Sequence, residues 1–187
     1  MRLTEKKHIA LVLSGGGIKA AAFHIGVCLA LREKGFRFAG GPTPRLEEEP
    51  ITDPLTLQTY VGSSAGAVIS TFLASGYSVD SIIDAFTRGA GLGPLTRKSE
   101  QRSSLKPINY RDIFALNLDA GRPTRFLPNF FKKKPVITGG IEVLLKRGFK
   151  VNGIFSTRNL EKYFRRHVYP ANDFKTLGAQ LYIVATQ

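Results

Sequence analysis

The chain has 187 residues, a single cysteine, three histidines and a net charge of +13, with 43% hydrophobic and 22% charged residues. That length suits one domain with a real hydrophobic core, and that composition excludes a disordered chain. Cys28 alone excludes a disulfide framework or a cysteine-based metal site. His8, His24 and His167 lack the close spacing of a histidine-rich one, so neither metal nor cofactor is expected.

The charge is uneven. Residues 1–87 balance eight basic against eight acidic side chains, whereas residues 88–150 carry fourteen basic and four acidic. A block of net +10 attracts polyanions, nucleic acid or anionic membrane, and says little about fold. No apolar run approaches the ~20 residues of a membrane-spanning helix. The basic start followed by Ile9–Leu13 resembles a signal peptide, but the apolar run is five residues long and ends in glycines, as a buried strand does. A cytoplasmic protein, peripheral at a membrane if the basic block meets one, is the expectation.

In chain order, Ile9–Leu13 reads as a short buried strand and Ser14–Gly17 as a glycine turn. Lys19–Lys34 reads as a buried helix, apolar on most sides and stopped by Gly35. Residues 39–54 are rich in proline and glycine and read as a surface loop. Leu57–Val61 is a second strand, Gly62–Gly66 a tight turn, and Ala65–Ser75 a second apolar helix ending near Gly76. Ser78 caps a third helix through Arg88, with Ile82, Ile83 and Phe86 on one face. Residues 89–137 read as an irregular, basic, lid-like segment. Thr138 caps a short helix, Ile141–Arg147. Ser156 or Thr157 caps another to about His167, with Leu160, Tyr163 and Phe164 partly buried. Leu181–Thr186 is a third strand. Strands alternating with helices indicate an α/β fold with a mostly parallel sheet.

The strand LQTYV runs into Gly62-Ser63-Ser64-Ala65-Gly66 and then a helix. This is the G-x-S-x-G nucleophile elbow in its strand–turn–helix setting. A sharp turn needs small residues two before and two after the serine, which Gly62 and Gly66 supply. Ser64 then sits at a helix N-terminus, where free N–H groups favour a developing anion. Ser63 is the competing hydroxyl, though the spacing selects Ser64. The plainer alternative is an ordinary turn whose serine caps the helix.

The first strand ends in Ser14-Gly15-Gly16-Gly17-Ile18-Lys19-Ala20. Successive glycine amides before a helix cradle negative charge. One use is dinucleotide binding, since Gly15-x-Gly17-x-x-Ala20 matches the relaxed fingerprint, but that motif wants a second strand soon after the helix ending in an acidic residue. The other use is an oxyanion hole, with the Gly16 and Gly17 amides aimed at a tetrahedral intermediate. Lys19 orients this loop or adds positive charge, or is simply solvated. In a parallel sheet both strand ends open onto one edge, so the cradle and the serine elbow meet there. His24 lies on the apolar first helix. It reads as a buried or pocket-lining histidine with a hydrogen-bond partner rather than a base, because triads of this elbow type place the histidine after the serine.

On LVLSGGGIKAAAFHIGV (Leu11–Val27) and YVGSSAGAVIS (Tyr60–Ser70), with weaker support from NDFKTLGAQLYIVAT (Asn172–Thr186), the chain resembles the patatin-like phospholipases. The resemblance implies a three-layer α/β/α fold over residues 1–187, a Ser–Asp dyad without a catalytic histidine, and hydrolysis of acyl esters in lipids. It implies Ser64 as nucleophile and Gly15, Gly16, Gly17 and Lys19 as the oxyanion loop. Where the family usually has arginine then glycine, this chain has Lys19 and Ala20. The family's aspartate lies in an Asp-Gly motif after the strand at Leu181–Thr186, and this chain has no Asp-Gly pair. The catalytic aspartate is therefore expected beyond residue 187, in a fold incomplete at its C-terminus.

Arg122–Lys134 interleaves Phe126, Leu127, Phe130 and Phe131 with Lys132, Lys133, Lys134 and two arginines. Aromatics at headgroup level and lysines on phosphates suit an anionic membrane surface. Packing as a lid is the equal alternative, and stacking on nucleic acid ranks well below both. The expected function is a serine hydrolase of phospholipid or another lipid ester. The alternatives are a catalytically silent membrane-docking module and, less favoured, a nucleotide-binding domain.

Overall fold

The computed structural model describes residues 6, 8–42, 53–92, 105–109, 115–116, 155–156, 158–169, 171 and 173–185. The chain divides into two compact units, Met1–Tyr110 with Glu161–Gln187, and Arg111–Leu160. The expected helix Ile141–Arg147 and the aromatic-basic run of residues 122–134 lie outside the described residues.

The first unit is built on a parallel sheet of β1 (Ala10–Leu13), β4 (Thr59–Ser63) and β7 (Gln180–Val184), in the order β1-β4-β7. Leu13 pairs with Gly62 and Gly62 with Ile183, so the three strands end level with one another. Strand periodicity then sorts the side chains. Leu11, Leu13 and Tyr60 share a buried face, while Val12, Tyr182 and Val184 on the opposite face are exposed. Among the described residues the helices cover one face.

Helix α1 (Gly17–Glu33) is rich in alanine and leucine and ends where Gly35 takes φ 89°, the left-handed stop glycine permits. Helix α2 (Ala65–Ala74) is apolar around its circumference and buries Ile69, Phe72 and Leu73. Helix α3 (Val79–Gly89) starts as expected, with the Ser78 hydroxyl accepting from the Ser81 N–H at 3.2 Å. It buries Val79, Ile82 and Ala85, and an Arg32–Asp80 ion pair at 2.6 Å ties it to α1. The fully buried Phe72 centres an aromatic cluster, edge-on to Tyr77 and Phe86 and stacked on Phe164 at 5.2 Å.

Several boundaries differ from expectation. The second strand is split. Thr56–Leu57 forms β3 and pairs with a two-residue strand β2 (Arg37–Phe38), while β4 starts at Thr59. Gln58 lies between, its carbonyl accepting from the Gln180 N–H at 2.8 Å. The chain changes sheets there, which the segment Leu57–Val61, read as one strand, does not reveal. Tyr60 locks the junction by donating its buried hydroxyl to the Ala39 and Leu57 carbonyls at 2.7 and 3.0 Å. Of the two expected caps, Thr157 lies outside the described residues, and Ser156 lies in β6 (Phe155–Ser156), which pairs antiparallel with β5 (Ala115–Leu116) in the second unit. The following helix, α4 (Arg158–Tyr163), widens into a π-type turn at Phe164–Val168.

Candidate active site

The elbow forms because β4 must reverse into α2 within one residue. Ser64 absorbs the reversal at φ 50°, ψ −118°, the one non-glycine with positive φ among the described residues. A serine holding that conformation is strained by about 1–3 kcal/mol, and its surroundings must enforce it. The flanking glycines show how. A carbon added to Gly62 would stand 2.5 Å from Ala67 Cα, and one added to Gly66 2.1 Å from the Leu13 carbonyl oxygen. Neither site has room for a side chain, so α2 is pressed against the ends of β4 and β1 together.

Ser64 does not cap α2. Its side chain makes no cap hydrogen bond and the residue is exposed, so the hydroxyl is left to face solvent. The helix-capping alternative is thus not what this serine does.

The glycine turn lies against it. A carbon added to Gly15 would be 3.2 Å from Ser64 Cβ and 3.9 Å from its Oγ. Gly16 and Gly17 take φ 142° and 65°, carrying the chain from β1 directly into α1. Ala20 fits beneath this loop, since a carbon added to Gly16 would meet its methyl at 2.8 Å. Neither α1 nor α2 has an acidic residue in its first turn or a side-chain cap at its start. Two helix N-termini with uncapped amides therefore flank the one hydroxyl, each adding about half a positive charge. Lys19 is exposed on the first turn of α1 and forms no ion pair among the described residues.

His24 is 5% exposed, and its Nε2 donates to the Ser14 carbonyl at 2.8 Å. Its ring reaches the loop, not Ser64, in keeping with a histidine that has a partner of its own. The sequence reading missed that Ser14 is that partner. The signal was the two helical turns between Gly17 and His24, because helical side chains lean toward the N-terminus. Three aspartates are engaged elsewhere. Asp80 pairs with Arg32, Asp53 binds Arg37 and the Leu55 N–H, and Asp173 accepts from the Lys175 N–H.

Residues 11–90 match the family model of the patatin-like phospholipases. Over that span the chain is similar to the patatin-like phospholipases. The matched span runs from β1 to just past α3 and holds both turns described above. No curated protein and no solved structure matches the chain. Among the described residues no cluster of metal ligands occurs, and no helix is long and apolar enough to cross a membrane.

Proposed function

We propose that the chain is a serine lipid acyl hydrolase in which Ser64 is the nucleophile and the amides of Gly15–Gly17 form the oxyanion hole. The observation that carries this reading is the strained, uncapped Ser64 directly beside Gly15. Ser64 Oγ attacks the ester carbonyl and its proton passes to an aspartate, other than the three engaged elsewhere. The carbonyl oxygen becomes an oxyanion, held by loop amides at the paired helix N-termini. Each such donor is typically worth about 2.7–4 kcal/mol in the transition state. Collapse expels the alcohol, which takes up the proton. Water then adds to the acyl-enzyme and releases the fatty acid and the Ser64 hydroxyl. Lys19 strengthens the positive field at the mouth of the loop. The net +10 block of residues 88–150, with Phe126, Phe130, Phe131 and Lys132–Lys134, brings the enzyme to an anionic lipid surface.

The dinucleotide reading draws no support. The strand that follows α1 is β2, which pairs with β3 outside the main sheet and leads into Ala39, not into an acidic residue.

The test is labelling of the full chain with a fluorophosphonate probe, the adduct located by peptide mass spectrometry. Modification of Ser64, absent in Ser64→Ala, is expected together with loss of phospholipid hydrolysis in that variant. Absence of labelling, or equal labelling of Ser64→Ala, would overturn the proposal.

A further inference from the structure

The glycine loop has a mechanical problem. Gly15, Gly16 and Gly17 are the residues freest to rotate, yet an oxyanion hole works only if its amides are aimed before the reaction begins. At its far end the loop is fixed by entry into α1. At its near end the β1–β4 ladder stops at Leu13↔Gly62, so Ser14 lies beyond the last strand pair.

We propose that His24 is the positioning residue of this loop, acting through its hydrogen bond to the Ser14 carbonyl. The inference rests on the reading of Gly15–Gly17 as an oxyanion hole. A carbonyl oxygen only accepts, so Nε2 carries the proton of this 2.8 Å bond. The ring is buried in α1, packed edge-on to Phe23 at 6.0 Å, and therefore offers a fixed rather than a swinging donor. The peptide that joins Ser14 to Gly15 is planar and trans. Its carbonyl and its N–H point in opposite directions. Holding the Ser14 oxygen toward His24 therefore fixes the Gly15 N–H away from His24, and with it the start of the run that passes Ser64. The same histidine ties the loop to the second turn of the helix that carries its other end, so the loop and the α1 N-terminus move as one body.

The geometry distinguishes substitutions. Glutamine carries its NH₂ at about the reach of histidine Nε2, asparagine carries its own one carbon short, and phenylalanine fills the volume without a donor. The measurements are kcat and KM on p-nitrophenyl butyrate, the fluorophosphonate labelling rate at Ser64, and the backbone amide signals and exchange rates of Gly15–Gly17 by NMR. His24→Phe and His24→Asn should lower kcat and the labelling rate about 10- to 100-fold, less than the ~10²–10³ for deleting an oxyanion donor outright. KM should change less than about threefold, as for an interaction made in the transition state. Both variants should speed exchange at the glycine amides. His24→Gln should recover most of the rate and of the amide pattern.

Unchanged glycine amides in His24→Asn would overturn the inference. So would Gln, Asn and Phe variants that fall together in step with thermal stability, since packing alone would explain them. If phenylalanine prevents folding, the glutamine–asparagine contrast decides. If the wild-type chain neither labels nor hydrolyses ester, the hydrolase reading fails, while the glycine amides still report whether His24 holds the loop.

Discussion

Gly26 and Gly66 are both helical, and alanine is the better helix former by ~1 kcal/mol. Propensity alone predicts that Gly→Ala stabilises at both positions. The structure separates them. A carbon added to Gly26 meets nothing within 4 Å, so the gain should be realised, at about 0.5–1 kcal/mol. A carbon added to Gly66 would stand 2.1 Å from the Leu13 oxygen, 2.4 Å from its carbonyl carbon and 2.8 Å from its Cβ. Ordinary contact begins at 3.4 Å, so the shortfall exceeds 1 Å. The nearest opposing atoms are backbone in a strand held by its ladder, and no rotamer change relieves them. Overpacking of this kind costs about 1–3 kcal/mol and outweighs the propensity gain. For a chain of this length each kcal/mol moves Tm by about 2–4 °C. Gly26→Ala should therefore melt up to about 4 °C higher than wild type, and Gly66→Ala several degrees lower. Because relief requires α2 to move off β1, the elbow moves too. A shift of about 1 Å in a reacting group costs about 100-fold in rate. Labelling at Ser64 should fall accordingly in Gly66→Ala and stay at the wild-type rate in Gly26→Ala. Thermal and urea unfolding followed by circular dichroism, with labelling run in parallel, reads both. A Gly66→Ala chain as stable as wild type and labelled at the same rate would refute the close approach of the elbow to β1.

Two further outcomes follow from buried groups. Tyr60→Phe removes the hydroxyl that serves two carbonyls where the chain changes sheets, and should cost about 1–3 kcal/mol in urea unfolding. Burial pushes the Cys28 thiol up from 9.0 to about 11, so the native chain should resist iodoacetamide at pH 8 and react once unfolded. The sign for stability follows. A thiol whose folded pKa lies above its unfolded value contributes fully below pH 9, and that contribution is lost as pH rises through about 11. Cys28→Ala should lack this part of the alkaline decline in the urea midpoint.

What was legible in the sequence was what sterics impose at fixed offsets. A one-residue reversal from strand to helix demands small neighbours, so Gly62 and Gly66 announced the elbow and singled out Ser64 over Ser63. The helices α1, α2 and α3 were legible because seventeen, ten and eleven residues are enough for composition and caps to speak. Strands β2 and β3 were not, since two residues carry no periodicity, and the change of sheet at Gln58 falls inside a segment, Leu57–Val61, that reads as one strand. The sharper limit concerns partners. Each close glycine reports that something approaches, without saying what. Gly66 needs space for Leu13, more than fifty residues earlier, and Gly15 needs it for Ser64, nearly as far ahead. Those contacts exist only because β1 and β4 pair with Leu13 opposite Gly62. Slipping that register by one residue would turn Leu13 onto the exposed face and carry Gly15 away from Ser64. The site therefore depends on the hydrophobic alternation of β1 as much as on its own motif. The same alternation that buries Leu11 and Leu13 sets the level at which the two turns leave the sheet.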